Sequence, residues 1–344
     1  MSHSVELTID PLRGEKLSID LPPEFRTPVP RARSELGLPE WVDTSDPMVA
    51  RAIALLAAAR RHAPDLHLAL LGGAAHRFRC IASNRPDLGL RRDLHDLDLA
   101  CLHKELSKVR AFLQTVRTQE GSGLQFFETN GDKIFNAMGE GRRLRYHFVA
   151  EQTDAGVRLA TLDLLADEFR FCHRFDLRPD VTSATSQGGT LTPTLLLLTK
   201  LQYVQRIPGA DRERVTPDRI LEPFGRHDLI IGPESKDVKD VIALLIDLPI
   251  AETPDGISPS RIEALAGTDW GLWHTLSLNV EMIERSPILA GLPAGPRVQV
   301  RSRLTGLSSL LASLHPKRRL GFLGGMWFEE VDAVPAADTT IRAG

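Results

Sequence analysis

His95-Asp96-Leu97-Asp98-Leu99 is the stretch on which the fold turns. In a strand, alternate side chains share a face. Asp96 and Asp98 therefore point one way, roughly 7 Å apart along the strand. Leu97 and Leu99 point the other way, into a core. Two carboxylates side by side on a mostly buried strand repel each other, so they need a cation between them or a shared proton. Hard oxygen ligands favour Mg²⁺ or Mn²⁺. Taken alone, the same five residues also suit a solvated sheet edge.

Upstream, an apolar run over 66–71 ends at Gly72-Gly73, which predicts a strand, a tight turn and a helix over 74–81. A glycine pair there lets backbone approach a phosphate closely, with a helix N-terminus behind it. Before it, Ser45-Asp46-Pro47 caps a helix carrying Met48, Ile53, Leu55, Leu56 and Ala59. Downstream, 94–102 reads as a strand and 104–116 as a helix. Strand-like segments follow at 124–128, 133–137, 144–149 and 157–165. That order predicts a mixed sheet with helices on one side.

After about residue 190 the apolar period lengthens to helical. Helices are expected over 192–206, 236–248, 259–266, 270–283 and 298–314. The fold class is therefore α+β. An extended, Pro-rich arm (1–45) precedes a mixed-sheet domain (46–190). A mainly α-helical C-terminal domain (191–332) and a frayed tail (333–344) complete it.

The bulk numbers fit. A chain of 344 residues suits two domains. With 42% hydrophobic and 25% charged residues it reads as soluble and globular. The net charge of −3 excludes a generally basic nucleic-acid binder, so an RNA partner needs a local patch. Cys80, Cys101 and Cys172 are odd in number and form no CxxC, against a disulfide framework or structural zinc. A reducing cytoplasm is the expected location. The start has no signal-peptide pattern. The longest apolar run, Leu195 to Leu198, is far too short for a membrane span.

Leu71-Gly72-Gly73-Ala74 followed by Asp96-Leu97-Asp98-Leu99 resembles the polymerase-beta-type nucleotidyltransferase superfamily. There a G-[GS] turn precedes an hDxDh strand, and a later strand brings a third carboxylate. Asp163, in Ala160-Thr161-Leu162-Asp163-Leu164-Leu165, is the candidate. Residues 84–92 look like an insertion in the Gly73–Asp96 gap, and Ala74 stands where many members carry Ser or Thr. In the second half, Lys200-Leu201 on a helix and Lys236-Asp237 ahead of Asp240 are similar to the KL…R and KDxxD motifs of AbiEii-like toxin nucleotidyltransferases. Arg206 sits one residue closer to Lys200 than in that pattern, and Glu234 replaces an arginine. The matched residues span roughly 70–245.

The residues agree in part. Lys200 shares a helical face with Leu196, Leu197 and Val204, so its amine needs an anion or must snorkel to solvent. Asp237 and Asp240 are neighbours at i and i+3; with Lys200 nearby in the fold one of them would orient that lysine or act as base, and a plain Lys236–Asp240 pair is the simple alternative. His147 and His173 alternate with aromatics and read as packed side chains or ligands. Arg142-Arg143-Arg145 and Lys317-Arg318-Arg319 suit RNA phosphates or plain solvation. Trp270, Trp273 and Leu276 suit a helical core.

The resemblance implies Mg²⁺ (or Mn²⁺) on Asp96 and Asp98, with Asp163, and a nucleoside triphosphate as substrate. It puts Gly72 and Gly73 under the phosphates, Lys200 on the triphosphate, and Asp237 in acceptor activation or positioning. The acceptor would be tRNA, a protein or a small molecule, and a toxin would have a cognate antitoxin. Two other readings stand beside it: a non-catalytic nucleotide- or partner-binding protein that keeps the fold, and a small-molecule adenylyltransferase of the antibiotic-resistance kind.

Overall fold

A computed structural model describes residues 3–10, 15–21, 29–120, 124–138, 142–153, 156–184, 189–207, 221–224, 228–317, 327–329 and 340–341. The N-terminal arm is a hairpin of β1 (His3–Asp10) and β2 (Glu15–Leu21), followed by the short helix α1 (Val29–Glu35). More structure forms there than an extended arm, because 5–9 and 15–21 both alternate and Ala32 and Leu36 reach the main core. Helix α2 (Pro47–His62) starts where Asp46 accepts from the amides of Met48 and Val49.

Then come β3 (Leu68–Leu71), α3 (Gly72–Arg79), β4 (Asp96–Cys101) and α4 (Leu106–Glu120). Two short 3-10 turns, Ala82–Asn84 and Pro86–Leu88, fill the segment expected to be an insertion. The chain continues through β5 (Phe126–Phe127), α5 (Asn130–Met138), β6 (Arg143–Thr153), β7 (Gly156–Ala166), β8 (Glu168–Arg170), β9 (Arg174–Asp176) and α6 (Arg178–Ser183).

The expected strand over 133–137 is wrong: it lies inside α5. Thr129 and Asp132 cap that helix reciprocally. The Thr129 hydroxyl accepts from the Asp132 amide at 3.1 Å, and the Asp132 carboxylate accepts from the Thr129 amide at 2.9 Å.

The second half holds α7 (Pro193–Leu201), β10 (Gln205–Ile207), β11 (Leu221–Phe224), β12 (Asp228–Ile231), α8 (Ser235–Asp247), α9 (Pro259–Ala266), α10 (Trp270–Glu284), α11 (Pro287–Ala290) and α12 (Ala294–Ser313). The helix expected to reach Arg206 stops at Leu201, because Gln205–Ile207 pairs with β12 instead. A three-stranded sheet, β10-β12-β11, thus sits among helices that were expected to stand alone. Of the expected frayed tail, only β13 (Thr340–Ile341) falls within the described residues, and it pairs with Arg158 and Val157 of β7.

The main sheet runs β3-β4-β7-β6-β5, with β13 beside β7. Only β4 and β7 are parallel on that path, so the sheet is mixed. One buried apolar cluster runs from Ala32 to Leu311, taking in β3, β4, β7, α7, α8 and α10. Helix α3 packs on both α7 and α8. That packing carries two second-half helices to the Gly72 turn. Among the described residues no helix is long and apolar enough to cross a membrane.

Candidate functional site

The strand register sets the site. Leu71 pairs with Asp98, Asp98 with Asp163, and Asp163 with Arg145, in one row across four strands. The next row on the same face is Asp96, Thr161, His147 and Phe127. Leu97 and Leu99 turn to the opposite face and are 1% exposed each, as alternation requires. The strand reading of 95–99 therefore holds, including the shared face of its two aspartates.

Gly72 has φ +65°, a left-handed conformation that favours glycine. A Cβ there would overlap Oδ2 of Asp98 and lie 3.0 Å from its Cγ. At Gly73 a Cβ would overlap the Arg92 guanidinium and stand 2.7 Å from Leu94 Cδ2. Both glycines are needed because side chains from the neighbouring segment lie against their backbone.

Asp96 is exposed and Asp98 half-buried. Among the described residues neither carboxylate takes a hydrogen bond or an ion pair. Burial, then the charges of Asp96 and Asp163, push the Asp98 carboxyl up to about 7. An open carboxylate pair with this penalty fits a divalent cation. The pair has no third protein ligand beside it, since among the described residues no group of three His, Cys, Asp or Glu side chains is arranged to hold a metal.

Asp163 differs. It is 5% exposed and closed by arginines: Arg143 Nη2 lies 2.7 Å from Oδ2, and Arg145 Nε lies 2.7 Å from Oδ1. Burial alone would raise its pKa, but Arg145 and Arg143 hold it below the usual carboxylate range. Both guanidinium groups also lie over the Phe135 ring, at 5.3 and 5.1 Å. So Arg143 and Arg145 face a carboxylate, while Arg142 turns away to Glu168 at 3.0 Å. Of the second basic run, Lys317 is exposed, and Arg318 and Arg319 lie outside the described residues.

Lys200, Asp237 and Asp240 meet as a network. Lys200 Nζ lies 2.6 Å from Asp237 Oδ1 and 3.2 Å from Asp240 Oδ2. Burial would lower the lysine's pKa, but these carboxylates hold it above the ordinary value. Arg92 closes the other side of Asp240, with Nη2 at 2.9 Å and Nε at 3.2 Å. Burial works against the Asp240 charge; His76 when protonated, Arg92 and Lys200 more than reverse it. The alternative Lys236–Asp240 pair does not form, since Lys236 goes to Glu234 at 3.1 Å.

Arg92 and His76 were not legible as site residues. Arg92 arrives from the segment read as an insertion, whose course is held by Arg77 donating to the carbonyls of Ser83 and Arg92. His76 sits one turn into α3, 1% exposed, with neither ring nitrogen partnered among the described residues. Burial pushes it down to about 4, so it is neutral at pH 7. The other histidines divide. His173 is buried with Nε2 2.8 Å from Thr275 Oγ1, a packed side chain. His147 places Nδ1 2.7 Å from Asp132 Oδ2 and belongs to the carboxylate face. Leu276 is core, Trp273 donates Nε1 to the Leu311 carbonyl at 2.8 Å, and Trp270 is half-buried beside it. Arg206 stands on β10, not on the Lys200 helix. Against known proteins, no family model matches the sequence and no curated relative is found.

Proposed function

We propose that this chain is a divalent-metal-dependent nucleotidyltransferase, moving a nucleoside monophosphate from a triphosphate to a hydroxyl on RNA, protein or a small molecule. The observation that carries it is the Gly72–Asp98 contact. A left-handed glycine at the start of a helix leaves room for the Asp98 carboxylate where a side chain would otherwise stand. Asp163, Asp237 and Asp240 each pair with a cation, whereas Asp96 and Asp98 make no ion pair among the described residues.

Asp96 and Asp98 would hold Mg²⁺ or Mn²⁺, which supplies neutralisation of phosphate charge. The residues of the chain do the rest. The α3 N-terminus at Gly72-Gly73 offers backbone amides to phosphate oxygens. Lys200, anchored by Asp237 and Asp240, contributes fixed positive charge beside them. Arg92 keeps Asp240 from neutralising that lysine alone. Asp237 is then the anchor of Lys200, not a free base. The missing hydroxyl at Ala74 leaves phosphate binding to backbone and lysine. The strand order, with β4 parallel to β7 and antiparallel to β3, sets Asp98 between Leu71, at the Gly72 turn, and Asp163.

One observation favours the second reading, a binding protein without turnover. Asp163, the expected third metal ligand, is occupied by Arg143 and Arg145. Incubation with α-labelled nucleoside triphosphates, Mg²⁺ and total tRNA separates the two. Label on tRNA that disappears in Asp96→Ala supports transfer. Nucleotide binding without transfer to any acceptor supports the second reading. Absence of both nucleotide and metal binding overturns the site. The toxin–antitoxin reading predicts growth arrest on expression, relieved by Asp98→Ala.

A further inference from the structure

Nucleotidyl transfer requires removal of the acceptor's hydroxyl proton, and assigning that task to a residue rests on the nucleotidyltransferase reading of this site. The nearby carboxylates are engaged. Asp237 is on Lys200, Asp240 on Arg92 and Lys200, and Asp163 on Arg143 and Arg145. Asp96 and Asp98 are the proposed cation ligands. His147 remains.

His147 pairs in register with Thr161, and Thr161 with Asp96, so the imidazole stands on the carboxylate face. Two strand spacings separate it from Asp96, about 10 Å, enough for a reacting phosphoryl group between them. Its Nδ1 lies 2.7 Å from Asp132 Oδ2. Asp132 is 4% exposed and is itself fixed by the Thr129 amide at 2.9 Å and hydroxyl at 2.7 Å. Phe127 stacks on the ring, with centroids 6.1 Å apart at 24°. Around the ring, Asp132 of α5 holds Nδ1, Phe127 of β5 and Thr161 of β7 are its register neighbours, Arg145 lies two residues along β6, and Asp96 of β4 lies one strand beyond Thr161. Among the described residues nothing hydrogen-bonds Nε2. The side chain is 13% exposed, and Nε2 is not among the fully buried unpartnered atoms, so that nitrogen keeps some accessible surface.

A carboxylate on Nδ1 selects the tautomer with a lone pair on Nε2 and stabilises the imidazolium that forms when it takes a proton. We infer that His147, oriented by Asp132, is the general base for the acceptor hydroxyl. As the hydroxyl oxygen bonds the α-phosphorus, its proton passes to Nε2. The bond from that phosphorus to the bridging oxygen breaks, and pyrophosphate leaves with the electron pair. The imidazolium then returns its proton to water. The acceptor therefore approaches over β6 and α5, while the triphosphate lies over β3, β4 and Lys200.

The test uses the full chain, α-labelled nucleoside triphosphates, Mg²⁺ and total tRNA. His147→Asn keeps an amide donor for Asp132 and deletes the Nε2 lone pair. Its transfer rate should fall by about 100-fold or more. Binding of a trinitrophenyl nucleotide should stay within about twofold, and melting should be unchanged. The wild-type rate should fall toward acid pH with unit slope, and the variant should lose that limb. Asp132→Asn, a positioning change, should cost about tenfold and shift the ring's tautomer, read by imidazole ¹⁵N NMR. Transfer by His147→Asn within about threefold of wild type, with the acid limb intact, overturns this inference and leaves the nucleotidyltransferase reading standing. Failure of the wild-type chain to label any acceptor overturns both. If His147→Asn does not fold, Asp132→Asn decides: an unchanged rate, acid limb and ¹⁵N pattern refute the base.

Discussion

Replacing Asp98 by Asn should make the metal-free protein more stable. The carboxyl's pKa is raised from 3.8 to about 7 by burial and by the charges of Asp96 and Asp163. A raised folded-state pKa means the charged form is penalised in the fold. The penalty is absent below the unfolded pKa near 4, grows as pH rises, and is complete above about 7. Three pKa units correspond to about 4 kcal/mol. Asp98 is half-buried, not sealed, so solvent screening reduces this to about 2 kcal/mol. For a chain of this size that is a melting shift of roughly 4 °C. The assay is thermal unfolding in a chelator from pH 4 to pH 8. Asp98→Asn should match wild type near pH 4 and lie above it from pH 7 upward. Saturating Mg²⁺ should reverse the order, since a ligand at 100 times its Kd adds about 2.7 kcal/mol to the wild type alone. An Asp98→Asn protein less stable than wild type at pH 8 in chelator would refute the reasoning, because Asp98 would then be a satisfied structural carboxylate.

Other outcomes rest on the same geometry. Gly72→Ala should cost about 1–2 kcal/mol for its left-handed backbone and displace Asp98, so Mn²⁺ binding read by electron paramagnetic resonance should be lost. Lys200→Met should cost about 3–5 kcal/mol in urea denaturation by stranding Asp237 and Asp240, with much of it recovered in Lys200→Met/Asp237→Leu. Asp163→Asn should leave Mn²⁺ affinity within about threefold, whereas Asp96→Asn should abolish it, because Asp163 is held by two arginines. Thr129→Ala should destabilise by about 1 kcal/mol through the lost cap of α5.

The legible parts of the molecule were those whose signal is local. Alternation alone put Asp96 and Asp98 on one face, and the Gly72-Gly73 pair marked a turn because a left-handed φ is needed there. Lys200 was legible as a lysine on an apolar stripe in need of an anion, and the carboxylates expected near it are its partners. Arg92 was not, because it lies in an aperiodic segment and its partner Asp240 is 148 residues away. The arginines on Asp163 were equally hidden: Arg143 and Arg145 read as a basic run, and only the β6–β7 register turns them onto a carboxylate. Helix α5 did carry a local signal, Thr129-x-x-Asp132 ahead of an apolar pair, which outweighs the strand-like look of 133–137. The short α7 carried none, since the β10–β12 pairing that ends it is a tertiary fact.

The distribution of charge on this face argues for a working site beyond any single residue. Buried ion pairs contribute little net stability, because desolvation offsets their attraction, and apolar replacements of similar volume often do better. A fold that needed only stability would have no use for Arg143–Asp163–Arg145 or Arg92–Asp240–Lys200 in its interior. What such closed networks do supply is fixed position: cations that cannot swing, held by carboxylates that cannot leave. Both networks flank the one pair of aspartates left open, and both depend on segments distant in sequence. Lys200 with two carboxylates keeps its charge at any working pH, and neutral His76 beside it adds no competing charge. The open pair makes no ion pair among the described residues, and the network cations act on it only at longer range. Two carboxylates without an ion pair at that point fit the proposed binding of an anion together with its dication better than binding of an anion alone.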